Sequence, residues 1–227
     1  MHREFKTILA ALIALTSSAR LGSAQTYAEN PQVSVSVYDD ASVPSETLAR
    51  AEARAANIFR QVGLDVNWLS CTAKDNVDCN VGQNETTGPD HLVLRIIPTA
   101  ARETSDTAFG IAYLGSDGSG RYGDVFWERA RALQGNSKVD VAFLLGSVMA
   151  HEMGHLLLGS NAHAVSGIMR AHWEASDLRG ISMNSVLFLP GQGKRMRERV
   201  SRREDVLVSR RRAGPPSSSL VEQVWMP

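Results

Sequence analysis

His151-Glu152-Met153-Gly154-His155 stands inside an apolar run, residues 139–158, that reads as one buried helix. Positions four apart lie on the same helix face, so His151 and His155 can present two imidazole nitrogens to one metal ion. Glu152 points about 100° around the helix from His151, beside such an ion rather than onto it. The H-E pair therefore offers one ligand and one base, the spacing that suits a zinc ion with an adjacent carboxylate. A zinc ion that keeps one position open for water takes three protein ligands, so a further donor must come from elsewhere. His163 is the candidate, because Gly159 can leave the helix in a left-handed conformation and turn the chain back. Of the other histidines, His91 opens an apolar strand and reads as structural, and His172 reads as a surface residue.

Upstream, Val33-Ser-Val-Ser-Val37 alternates as a strand. Pro44-Ser45-Glu46 opens a helix, with Ser42 or Ser45 as its cap, and Gly63 ends it. Residues 64–69 and 91–97 read as two more strands, and 108–114 as a short fourth. Val125-Phe-Trp127 fits either a fifth strand or the start of a helix running to Leu133. This order predicts a sheet with a crossover helix. Downstream, a short helix is expected near 174–179, and a last, arginine-rich helix begins at Pro190 with Met196, Val200 and Leu207 on one face. It reads as a solvated helix packed by a narrow apolar stripe.

The first residues read as a secretory leader. His2, Arg3 and Lys6 are basic, 7–15 is apolar but too short to span a bilayer, and Gly22-Ser23-Ala24 offers a cleavage site before Gln25. A signal peptide over 1–24 is expected, with a secreted or periplasmic product and no membrane span after its removal. Cys71 and Cys79 in an exported chain are expected to pair as a disulfide. The 24 Lys and Arg balance 24 Asp and Glu, so nothing asks for nucleic acid as a partner. One domain is expected over 25–212, as subdomains 25–159 and 160–212, acting as a monomer, with 213–227 a disordered tail.

The stretch His151-Glu-Met-Gly-His155-Leu-Leu-Leu-Gly159-Ser-Asn-Ala-His163, followed by Ser166-Gly-Ile-Met169, resembles the metzincin clan of zinc peptidases, and matrixins most. The helical part matches the H-E-x-x-H-x-x-G-x-x-H pattern residue for residue. Beyond it the glycine comes one residue late and the histidine two, so an ungapped alignment would place Asn161 at the third-ligand position. The resemblance implies an α+β zincin fold: a twisted mixed sheet, a crossover helix, an active-site helix and a small, mostly helical C-terminal subdomain. It also implies a zinc endopeptidase acting on peptide or protein substrates. His151, His155 and His163 would be its metal ligands, Glu152 its general base, Met169 its Met-turn, and the 108–114 strand its cleft edge. A gluzincin-type site is the alternative, with Glu174, nineteen residues past His155, as third ligand. A non-catalytic zinc-binding protein on the same scaffold is another.

Overall fold

A computed structural model describes residues 30–71, 91–100 and 107–213. The alternating valines form β1 (Gln32–Asp39), with Val33, Val35 and Val37 buried on one side. The crossover helix α1 (Ser45–Arg60) returns the chain to β2 (Asp65–Cys71), parallel to β1 with Val33 opposite Val66 and Val35 opposite Trp68. On the other side of β1 lies β3 (His91–Ile97), also parallel, and beyond it β5 (Tyr122–Phe126). The edge strand β4 (Gly110–Tyr113) runs antiparallel to β5, giving the order β2-β1-β3-β5-β4. The α+β expectation therefore holds, with a mixed sheet and its crossover helix in place.

The ambiguity at Val125-Phe-Trp127 resolves both ways. β5 ends at Phe126, and α2 (Trp127–Ser137) starts at the next residue. Neither serine caps α1. Pro44 holds the cap position, and Ser42 has left-handed backbone at φ 55°. The Asp39 carboxylate takes the amides of Ala41 (3.1 Å) and Val43 (2.8 Å) instead. An ionised carboxylate with two acceptor oxygens competes well for these turn amides, and it sets the approach to the helix from upstream.

Helix α3 (Val141–Leu158) is capped by Asp140, whose carboxylate accepts the Ala142 amide at 2.8 Å. Every residue from Leu144 to Leu157 is buried, because α1, the sheet and the other helices all pack against α3. Gly146 brings α1 close: a Cβ there would fall 2.8 Å from Arg54 Cβ. α3 is long and apolar enough to cross a membrane, but its surface is spent on the domain core. The remaining helices are α4 (Ala175–Ser182) and α5 (Pro190–Ala213). Met196 and Val200 of α5 are fully buried, as the apolar stripe predicts, and the Leu207 side chain lies outside the described set. Cys71 closes β2. Its expected partner Cys79, the leader and the tail from 214 onward all lie outside the described residues.

Candidate metal centre

The last turns of α3 carry His151, Glu152 and His155, which are 9%, 5% and 4% exposed. Gly159 ends the helix in left-handed conformation (φ 65°, ψ 37°), and the amides of Gly159 and Ser160 both return to the His155 carbonyl. The chain then doubles back and brings His163 to the other two imidazoles. The ring centroids lie 4.7 Å (His151–His155), 5.3 Å (His151–His163) and 5.0 Å (His155–His163) apart. One ring nitrogen from each lies within 4.8 Å of the others, an arrangement able to hold a metal ion.

The donor chemistry fits a cation. His151 Nδ1 meets the Ile168 carbonyl at 2.7 Å, and His155 Nδ1 meets the Ser160 carbonyl at 2.8 Å. A carbonyl only accepts, so each Nδ1 carries the proton and each Nε2 is left with a lone pair. These two Nε2 atoms face each other at 3.0 Å. Facing lone pairs repel unless a cation sits between them, and a hydrogen-bonded Nδ1–H behind each ring is the usual support of a metal-bound imidazole. Burial also holds the rings neutral: His151 is lowered to about 4, with lesser contributions from His155 and His163. His155 and His163 are lowered too, again chiefly by burial.

Glu152 lies under the edge of the sheet. Burial raises its carboxyl to about 8. One strand glycine makes room for it: a Cβ on Gly110 would fall 2.7 Å from Glu152 Oε1, whereas one on Gly123 would only touch Glu152 Cβ at 3.7 Å. Met169 is fully buried and packs under the helix at Gly154, where a Cβ would lie 2.5 Å from its sulfur. Its turn is fixed by Ala164 donating to the Met169 carbonyl (2.8 Å) and Ile168 donating to that of Leu187 (2.9 Å). That second bond also steadies the residue whose carbonyl orients His151.

A cavity of about 470 Å³ opens over these groups, bounded by residues 107–112 on the β4 side and 170–173 on the other. Asn161 lines it, while the histidine cluster uses His163 two residues later. Glu174 is occupied elsewhere. It pairs with Arg170 at 2.5 Å, accepts a helix amide as the N-cap of α4, and lies outside the ligand cluster. His172 is exposed on the cavity rim. His91 sits apart, buried in β3 with its Nε2 2.7 Å from Ser36 Oγ. Sequence reasoning missed the aromatic wall, where Phe109 and Trp173 stack at 6.3 Å and Trp173 meets His151 edge-on at 6.2 Å. The signal available was a tryptophan four residues past Met169.

No protein-family model matches this chain, and no curated protein does. Among solved structures, an archaemetzincin from Methanopyrus kandleri is similar at 15% sequence identity, covering 77% of this chain and 98% of that one, with a TM-score of 0.47.

Proposed function

We propose that this chain is a zinc-dependent peptidase of metzincin type that hydrolyses peptide bonds in an exported compartment. The observation that carries the reading is the facing pair of Nε2 lone pairs, joined by His163 and flanked by buried Glu152. His151, His155 and His163 would hold the ion. Zinc bound there supplies Lewis acidity and lowers the pKa of a bound water toward ~7.

The chain's own residues supply the rest. Glu152 takes the proton of the attacking water on its carboxylate and later gives it to the leaving amine. Burial against the sheet keeps this carboxyl away from bulk water, and a cation held by the three imidazoles beside it would favour the ionised form that accepts the first proton. β4 is the edge of the sheet, and its outer backbone groups can pair with an extended peptide as an added strand. The Ile168 and Ser160 carbonyls keep two imidazoles oriented throughout.

The test is cleavage of casein, gelatin and a broad peptide library by zinc-loaded protein, with and without chelator. Glu152→Gln should retain zinc and fold while losing at least about 10²-fold in turnover, the scale of a lost general base. Wild-type activity in Glu152→Gln removes the carboxylate from the mechanism. A zinc-loaded protein that cleaves nothing leaves the non-catalytic zinc-binding reading instead.

A further inference from the structure

We propose that Arg199 is a positioning residue for the metal centre: it pins the turn after α3 and so sets where His163 reaches the other two ligands. This rests on the metal-centre reading above. The chain between His155 and His163 is two residues longer than the H-E-x-x-H-x-x-G-x-x-H spacing, and a longer turn has more freedom to lose. Three elements meet behind that turn: the end of α3, the loop between β4 and β5, and α5.

Arg199 arises from α5 one residue before fully buried Val200 and three after fully buried Met196, so its backbone is set by core packing. Its Nη2 donates to the Gly118 carbonyl at 2.7 Å. Its guanidinium also fills the space beside Gly159, where a Cβ would come 2.7 Å from Arg199 Cζ. The two glycines touch each other as well. A Cβ on Gly118 would lie 2.6 Å from the Gly159 carbonyl oxygen, and one on Gly159 2.8 Å from that of Gly118. Both have left-handed backbone, at φ 73° and 65°. Two bare backbones and one guanidinium thus form a closed contact with no room for a side chain. The cation also lies at the C-terminal end of α3, where a helix carries partial negative charge.

What this contact holds is the path to two ligands. Ser160, next in the chain, orients His155 through its carbonyl. His163 lies three residues further on. Its ring has no carbonyl partner among the described residues, unlike those of His151 and His155, so its placement follows the backbone of the turn. Arg197, on the same helix, donates instead to the Val62 carbonyl in the turn after α1 and serves as the comparison.

The experiment is cobalt(II) and zinc titration of purified protein, read by the visible cobalt bands and by competition with a chelator. Arg199→Met should weaken metal affinity about 10- to 100-fold, the usual cost of losing support behind a ligand, and should change the cobalt spectrum. Arg199→Lys should recover part of both. If Arg199→Met does not fold, Arg199→Lys carries the test through a smaller loss and shift. Arg197→Met should bind and absorb as the wild type does, even if it melts earlier. Wild-type affinity and spectrum in the Arg199 variants overturn the proposal, as does an equal loss in Arg197→Met. Wild-type protein that shows no histidine-ligated cobalt spectrum overturns the metal-centre reading itself, and this inference with it.

Discussion

Gly110→Ala is the sharpest probe of how the sheet holds the carboxylate. The new methyl would meet the Asp124 carbonyl oxygen at 2.6 Å on one side and Glu152 Oε1 and Cγ at 2.7 Å on the other. An ordinary contact begins near 3.4 Å, so something must yield by about 0.7 Å. The Asp124 carbonyl belongs to β5, inside the sheet, whereas Glu152 is a side chain and β4 is an edge. The yielding parts are therefore Glu152 and the strand that lines the cleft. Overpacking of this kind costs about 1–3 kcal/mol, which for a domain of this size is a fall in Tm of about 2–12 °C. If Glu152 is the base of the proposed function, displacing it costs more in rate than in stability, because a misplacement of about 1 Å can cost 10²-fold. Turnover should drop about 10- to 100-fold while the cobalt spectrum stays as in wild type, since no ligand is touched. Gly135→Ala is the control, because its methyl would meet nothing within 4 Å on an exposed helix, and it should leave turnover alone. Unchanged turnover together with unchanged Tm in Gly110→Ala would refute the claim that this glycine makes the space Glu152 occupies.

Three further outcomes are expected. His163→Ala should lose most bound zinc by elemental analysis, whereas Glu174→Ala should keep it and lose only about 1 kcal/mol with the α4 cap. In metal-free protein, the stability linked to His151 is present above its ordinary 6.5 and lost as pH falls through about 4. The stability linked to Glu152 is present below its ordinary 4.5 and lost as pH rises through about 8. Chemical denaturation of chelated protein across pH should thus show less decline on the alkaline side in Glu152→Gln than in wild type, and an identical alkaline limb contradicts the assignment. Gly154→Ala, whose methyl would press on the Met169 sulfur and on Phe188 at 2.8 Å, should lower Tm and perturb the cobalt spectrum through His151 and His155 on either side of it.

The helices and strands with strong periodicity were readable from the chain. β3 coincides with the apolar run 91–97, and α3 begins at 141 rather than 139 because Asp140 caps it by accepting the Ala142 amide. The left-handed exit at Gly159 was readable too, since few other residues accept that backbone. What was hidden depends on partners distant in sequence. Asp39 does the work expected of Ser42 or Ser45, because turn amides go to whichever acceptor the fold brings near. The cleft strand is shorter than 108–114, because only 110–113 face β5 in register. Glu174 offered a carboxylate at a plausible spacing, but Arg170 and the start of α4 claim it. Gly110 and Arg199 carry no local signature, because each matters through a contact with a different element.

Because the helix that carries His151, Glu152 and His155 is also the innermost beam of the domain, its residues answer to two demands at once. Few of them can change without disturbing both architecture and chemistry. Under the proposed function, variation in what the cavity accepts would then arise at its rims, from the loop before β4 and the stretch that follows Met169. Engineering a new preference should begin at Phe109, His172 and Trp173 and leave α3 untouched.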